Sequence, residues 1–166
     1  MNLSFRNALT NDAERLTEIA FAAKRIWNYP DEYFTIWKDE LTITEKYIDE
    51  NVVFVAKEIE LIVGFVSMVF LPQEKQFGNV KVAAGYWMDH LFVDPNFQHR
   101  GIGFNLVEAI KLFCREHRID SLKIFVDPNA KGFYELVGAK FVENSPSSID
   151  GREIPVFLLD TWRLCI

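Results

Sequence analysis

Residues 91–103 read L-F-V-D-P-N-F-Q-H-R-G-I-G, and the rest of the chain is organised around them. Leu91, Phe92 and Val93 form the apolar end of a strand. Asp94-Pro95-Asn96 stops it, because proline cannot donate to a ladder and Asp and Asn favour turns. Gly101 and Gly103 then open an amphipathic helix, where main-chain N–H groups lack intrahelical partners and the dipole is positive. Such a loop suits an anion, and two oxygens of a pyrophosphate fit its glycines closely.

Other glycine loops compete for this reading. A Rossmann fingerprint wants a third glycine where Leu106 stands, and a Walker loop wants Gly-Lys-Ser/Thr, which does not occur. What remains is Gln98, Gly101 and Gly103 after a strand exit marked by Leu91, Val93 and Pro95. The pattern L-x-V-x-P-x-x-Q-x-x-G-x-G resembles the acyl-CoA loop of the GNAT superfamily of N-acyltransferases. In that family, main-chain amides of the loop hold the pyrophosphate of coenzyme A. The opposing reading has the glycines merely turning a strand into a helix.

The 166 residues suit one domain spanning residues 1–166, enough to bury about 70% of the unfolded surface. With 49% apolar and 25% charged residues, the balance is that of an ordinary soluble protein. A net charge of −6 argues against nucleic acid and anionic membranes as partners. Cys114 and Cys165 have no metal spacing, and Cys114 reads as a reduced, buried thiol. No metal site is expected. No leader and no apolar run of transmembrane length are apparent, so a cytoplasmic location without membrane attachment is expected.

Along the chain, residues 3–8 read as a strand. Asn11 is placed as the cap of a first helix, with Glu14 as its capping-box partner. Leu16, Ile19, Ala20, Ala23, Ile26 and Trp27 keep helical spacing on one face. Residues 31–41 read as a second helix, and Thr44 starts a third through Glu50. Residues 52–56 and 61–70 are apolar runs, read as buried strands joined by a turn at 57–60 that lacks glycine. Residues 72–79 read as a flap or surface loop, and 81–93 as one long strand. The helix after the glycine loop places Leu106, Ile110, Phe113 and His117 on one face. Asn105, Glu108, Lys111 and Arg115 lie opposite. A strand at 121–126, a short helix at 130–137 ended by Gly138, and strands at 139–143 and 153–162 complete the chain.

Residues 127–142, D-P-N-A-K-G-F-Y-E-L-V-G-A-K-F-V, resemble a second GNAT motif. The order of elements is similar to that family over most of the chain. A-K-R-I-W-N-Y-P at 23–30 and I-D-G-R-E-I-P at 149–155 are similar to a largely uncharacterised branch of it. The resemblance implies a mixed α/β (α+β) fold: a mostly antiparallel sheet splayed between two parallel strands and flanked by helices. It also implies acetyl-CoA as co-substrate and an amine of a small molecule or peptide as acceptor. A homodimer is a further implication.

Residue roles follow from the same resemblance. The backbone of Leu91, Phe92 and Val93 would hold the pantetheine arm, with an amide near Val93 facing the thioester carbonyl. Gln98, His99, Arg100, Gly101, Ile102, Gly103 and Phe104 would hold the pyrophosphate, although Arg100 reads equally as a solvated loop cation. Tyr134 is the candidate general acid for the departing thiolate, against packing beside Phe133. Asn129 is a pantetheine contact or a helix N-cap. Asp89 is preferred over His90 as general base, a structural ion pair being the opposing reading. Arg25, Trp27, Tyr29, Trp37 and Trp87 are acceptor-site candidates, where aromatics stack on a ring or box a cation. Trp27 and Trp37, each taken alone, read first as core at helical spacing. Two other functions stand beside acetyl transfer: a catalytically silent acyl-CoA-binding module, and a nucleotide-phosphate binder disfavoured by the missing lysine and third glycine.

Overall fold

The computed structural model describes residues 2–163, so the expectation for Cys165 lies outside the described residues. Nine strands form: β1 (Leu3–Asn7), β2 (Val52–Glu58), β3 (Leu61–Leu71), β4 (Lys75–Phe77), β5 (Val80–Val82), β6 (Gly85–Val93), β7 (Ser121–Phe125), β8 (Lys140–Pro146) and β9 (Glu153–Asp160). The helices are α1 (Ala13–Arg25), α2 (Asp31–Ile36), α3 (Lys38–Leu41), α4 (Glu45–Glu50), α5 (Ile102–Glu116) and α6 (Lys131–Leu136). Seven strands hydrogen-bond in the order β1-β2-β3-β6-β7-β9-β8, mixed but mostly antiparallel, with β6 and β7 parallel at Trp87 opposite Lys123. The expected mixed α/β class is therefore observed. Two compact units share these elements. One takes the chain up to Met68 with His90–Ile110; the other takes Val69–Asp89 with the chain from Lys111 on.

In the first unit, β1 and β2 pair antiparallel from Leu3 opposite Glu58 to Asn7 opposite Phe54. β2 and β3 pair through a two-residue connection at Ile59 and Glu60. No glycine is present there, and Ile59 itself takes the left-handed conformation at φ 57°. A β-branched residue in that region is an outlier, carried here by a fully formed hairpin. Helix α1 buries Leu16, Ile19, Ala20 and Ala23, as its spacing predicts, but it ends at Arg25. Ile26 and Trp27 therefore fall outside it, and Trp27 is 42% exposed rather than core.

The start of α1 also differs from expectation. Asp12, not Asn11, stands at the helix head, and its carboxylate accepts the Leu9 N–H at 2.8 Å. Arg6 makes a bidentate pair with the same carboxylate at 2.7 and 3.2 Å. Burial alone raises the Asp12 carboxyl, but the bonds from Arg6 and Leu9 outweigh it and hold the group below its ordinary value. The expected helix over 31–41 breaks at Trp37 into α2 and α3. Thr44 does cap α4, accepting the Tyr47 N–H at 3.0 Å.

Gly64, in the middle of β3, lies directly against the segment that leads into α5. A Cβ there would meet the Phe92 carbonyl oxygen at 3.0 Å, Leu106 Cδ1 at 3.2 Å and Ile102 Cγ2 at 3.4 Å. The bare backbone thus lets β3 approach both Phe92 and the first turn of α5.

In the second unit, residues expected as a loop form the β4–β5 hairpin, Lys75 opposite Val82, around Gly78 at φ 59°. The strand expected over 81–93 is divided into β5 and β6. β7 buries Leu122 and Ile124, with Val126 just beyond it, on the face that alternation assigns. Gly138 ends the α6 segment at φ 93°. Two expectations for α5 need correction. Lys111 is 0% exposed rather than solvated, and its ammonium donates to the Arg163 carbonyl. The buried stripe is Leu106, Val107, Ile110 and Cys114, whereas Phe113 is half-buried and His117 exposed. Cys114 is buried, and burial pushes its thiol up to about 11, an unreactive setting.

Two outcomes are expected. Gly64→Ala forces displacement of the Phe92 carbonyl or the α5 side chains, and should cost about 1–3 kcal/mol, read as a lower urea midpoint at unchanged slope. Asp12 has a depressed folded value, so its contribution is present above the unfolded carboxyl range near 4 and fades as pH falls. Asp12→Asn should be less stable than the native protein at neutral pH, with the gap closing as the medium is acidified.

Candidate functional site

The glycine loop belongs to the first unit and is built from the end of β6 upward. The Asp94 N–H donates to the Val63 carbonyl at 2.8 Å, fixing the strand exit against β3. Pro95 then starts a single 3-10 turn over Pro95–Phe97. The Asp94 carboxylate accepts the Asn96 N–H at 2.9 Å and the Arg15 guanidinium at 2.7 Å. Arg15 also donates twice to the Ile62 carbonyl, at 2.9 and 3.1 Å, so one side chain ties α1, β3 and the turn together.

Beyond the turn the backbone bends sharply. His99 lies at φ 61° and Gly101 at φ 81°, two left-handed residues separated by one. Such conformations turn successive N–H groups toward a common concave side. Nothing would meet a Cβ on Gly101 within 4 Å, so conformation and not space calls for glycine there. Ile102 is fully buried and anchors the head of α5. No acceptor among the described residues takes the main-chain N–H of Gln98 to Phe104. That row of donors faces outward at the positive end of a fifteen-residue helix.

Side chains of the loop are largely engaged with the loop itself. Gln98 Nε2 donates to the Val93 carbonyl at 3.2 Å. The Arg100 guanidinium donates to the Asn96 carbonyl at 3.4 Å and lies 5.2 Å from the Phe97 ring centre. His99, Arg100 and Phe104 are exposed, and Gly103 is half-buried. Leu91, Phe92 and Val93 are half-buried, with the Phe92 ring 5.9 Å from that of Phe65.

His90, the residue passed over as a base, is buried in a polar network. Its Nε2 lies 2.8 Å from the Glu40 carbonyl, which can only accept, so Nε2 carries the proton. Its Nδ1 then accepts, from Ser67 Oγ at 2.8 Å or the Tyr47 hydroxyl at 3.2 Å. Sequence reasoning missed this cluster. Its one signal was Ser67, a lone hydroxyl in the apolar run of β3.

Four of the acceptor candidates also belong to this unit. Trp37 is buried, its ring 5.0 Å from Tyr29, 5.4 Å from Tyr33 and 5.6 Å from Phe34. The Lys24 ammonium stands 4.6 Å above Trp37 and 5.5 Å from Tyr29, so an internal cation already faces these rings. Lys24 was not singled out from the sequence. Arg25 is exposed with its guanidinium 4.3 Å over Phe34. Trp27 is apart from this ring cluster in every recorded ring contact among the described residues.

The second unit holds the remaining candidates. Trp87 is buried, stacks on Phe125 at 4.6 Å and donates its indole N–H to the Ala83 carbonyl at 2.8 Å. Asp89 is exposed. Asp127-Pro128-Asn129 forms a 3-10 turn in which Asp127 accepts the Asn129 N–H at 2.9 Å and its side-chain amide at 3.2 Å. Asp127, not Asn129, is therefore the capping residue.

Tyr134, on α6, is 8% exposed and packs edge-on to Phe133 at 5.3 Å. Burial, and then the Asp127 charge, push its phenol well above the ordinary value. Its hydroxyl has no hydrogen-bond partner among the described residues. No buried side-chain oxygen among the described residues lacks a partner, so the hydroxyl oxygen itself keeps some contact with solvent although the ring is buried. No group of His, Cys, Asp or Glu suited to a metal ion occurs among the described residues, and no helix there is long and apolar enough to cross a membrane.

Comparison with known proteins follows the fold and the loop. No curated protein sequence matches the chain. A GCN5-related N-acetyltransferase from Rhodopseudomonas palustris shares the fold at TM-score 0.74 and 19% identity, over 96% of each chain. The PaiA N-acetyltransferase of Thermoplasma acidophilum, crystallised with coenzyme A, superposes at 0.72 and 18% identity, over 96% of this chain and 99% of that one. A GNAT family acetyltransferase from Brucella melitensis, in complex with acetyl-CoA, superposes at 0.64 and 17% identity, over 99% and 91%. The family model described as Acetyltransferase (GNAT) family matches residues 13–139, a span that takes in both the loop of unsatisfied amides and the Tyr134 helix, and the chain belongs to that family.

Proposed function

We propose that the protein transfers an acetyl group from acetyl-CoA to a primary amine of a small molecule or peptide. The observation that carries this reading is the row of main-chain N–H groups from Gln98 to Phe104 with no acceptor among the described residues. Main-chain donors left without a protein acceptor at the positive end of a helix suit an anion, and a pyrophosphate supplies several acceptor oxygens at once. Gly101, Ile102, Gly103 and Phe104 act through their amides. His99 contributes its left-handed backbone, and Gln98 and Arg100 brace the loop through the bonds described above. Leu91, Phe92 and Val93 offer strand backbone to the pantetheine arm, with Asn129 and Phe133 as further contacts.

The chemistry assigns one task to each remaining residue. An alkyl ammonium with a pKa near 10.4 must lose its proton before it attacks the thioester carbon. Asp89 is placed as the base, because its exposed carboxylate lies on the same strand that carries Val93. The amide near Val93 donates to the oxyanion as the carbonyl becomes tetrahedral. Collapse forms the amide bond and breaks the C–S bond, and Tyr134 gives its proton to the departing sulfur. Arg25, Trp27, Tyr29, Trp37 and Trp87 are assigned to the acceptor; Arg25 in the pocket would favour an acceptor carrying a carboxylate.

A second reading, a catalytically silent acyl-CoA binder, has one observation in its favour. The phenol of Tyr134 is raised away from the thiol range near 8.5, so proton transfer to the departing thiolate is uphill. Under the first reading, Tyr134→Phe should lower kcat by about 10²–10⁴-fold, with KM for acetyl-CoA little changed. The assay is thiol release over a panel of amines. Tight coenzyme A binding without turnover on any amine, native and variant alike, would favour the second reading. The pH dependence has a sign. A raised phenol stays protonated through and above neutrality, so the rate should climb as the amine deprotonates. No falling limb from Tyr134 should appear below about pH 10.

A further inference from the structure

A second set of uncommitted donors lies entirely within the second unit, at the starts of β6 and β7. A cavity of about 230 Å³ opens there between Gly85 and Tyr86 on one side and Arg118 to Lys123 on the other. That is smaller than the roughly 300–1,000 Å³ of pockets for drug-sized ligands, so it suits a small ion or a compact metabolite head.

The polar groups around it are unusually free. Neither the Arg118 guanidinium nor the hydroxyls of Tyr86 and Ser121 have a hydrogen-bond partner among the described residues. The Lys123 ammonium donates to the Ala84 carbonyl at 3.0 Å, which leaves two of its three N–H groups. Opposite these donors stands one acceptor, Asp120, whose Oδ1 takes the Trp162 indole N–H at 2.8 Å. The lining itself carries two cations, Arg118 and Lys123, and one carboxylate, Asp120; the Asp160 carboxylate, opposite Ser121 across the β7–β9 pairing, already accepts the Trp162 N–H at 2.9 Å.

The backbone is shaped to the same end. Gly85 lies at φ 119°, a backbone conformation that favours glycine, and its Cα edge faces the Lys123 ammonium, which a Cβ would meet at 3.4 Å. Arg118 holds the left-handed conformation at φ 57° without being glycine. Its segment is fastened by the Thr161 N–H donating to the Asp120 carbonyl at 3.1 Å and by the Thr161 hydroxyl donating to the Ile119 carbonyl at 2.6 Å. The left-handed turn is the end of α5: the Ile119 N–H donates back to the Cys114 carbonyl at 2.8 Å and the Arg118 N–H to the Arg115 carbonyl at 3.2 Å, which fixes where the Arg118 side chain departs.

We propose that this cavity binds a small oxyanion that also carries a hydroxyl donor, with hydrogen phosphate as the simplest example. Arg118 and Lys123 hold the anionic oxygens, Ser121 and Tyr86 donate to them, and the free oxygen of Asp120 accepts the proton-bearing hydroxyl. A fork-shaped guanidinium suits two oxygens of one such group. Asp120 is the selecting residue, since an oxyanion without a proton faces it as a bare like charge.

The test is a titration of the full chain with sodium phosphate at constant ionic strength, followed by backbone amide NMR. Saturable shifts should centre on residues 85–86 and 118–123. Phosphate affinity should fall at least tenfold in Lys123→Gln and in Arg118→Gly, the latter keeping the left-handed backbone without strain. Each variant's coenzyme A affinity and far-ultraviolet spectrum should match the native protein, which separates loss of this site from loss of the fold. Sulfate should bind more weakly than phosphate to the native chain, and Asp120→Asn should remove that difference. Shifts that do not saturate, that persist in both cation variants, or that are equal for sulfate and phosphate in the native chain would overturn the proposal.

Discussion

The loop's conformation depends on one constraint: a main chain that bends through two left-handed residues must be held without using its own N–H groups. The chain meets this from behind. Ile102 and Leu106 are fully buried beneath the loop, Gly64 lets β3 come against Phe92, and Arg15 clasps Asp94 and the Ile62 carbonyl together. All of these contacts use side chains, carbonyls or apolar surface. None takes an N–H of Gln98 to Phe104. The loop is therefore rigid without being satisfied, and a preorganised site for a phosphate-bearing ligand requires that combination.

A repeated device ends the two parallel strands. After β6 the chain reads Asp94-Pro95-Asn96, and after β7 it reads Asp127-Pro128-Asn129. Each aspartate takes φ and ψ near −55° and 128°, and each accepts the N–H two residues on at 2.9 Å. Proline cannot continue a ladder, so both strands stop at a fixed residue and the backbone turns the same way. The consequences then diverge. One turn delivers the glycine loop; the other delivers the helix that carries Tyr134, and its aspartate contributes to the raised phenol.

Much of this was legible because local chemistry and tertiary structure agree. The strand exits, the stop at Gly138, the Thr44 cap and the buried faces of α1 and β7 follow from residue type and period alone. The failures come from contacts distant in sequence. Lys111 obeys the helical period of a solvated residue, yet its ammonium finds the Arg163 carbonyl, far along the chain. The β4–β5 hairpin escaped notice because its strands are three residues each and largely exposed, so no alternation marks them; only Gly78-Asn79 hinted at the turn. At the candidate site, the loop amides were legible through glycine spacing. The Lys24 ammonium over Tyr29 and Trp37 was not, since nothing in the sequence says which cation will face those rings.

On the proposal that these rings line the acceptor pocket, that internal cation bears on the choice of acceptor. An aromatic box built from Tyr29, Tyr33 and Trp37 would ordinarily favour a cationic ligand. Here Lys24 already stands over two of the rings and Arg25 over Phe34, so the faces are met by charge from α1. A substrate ammonium placed at the same faces meets like charge and must displace a tethered lysine. An acceptor bearing a carboxylate gains from both cations instead. The same residues that suggest a cation cage in the sequence thus argue, once their neighbours are known, for an acceptor with a negative group beside its amine.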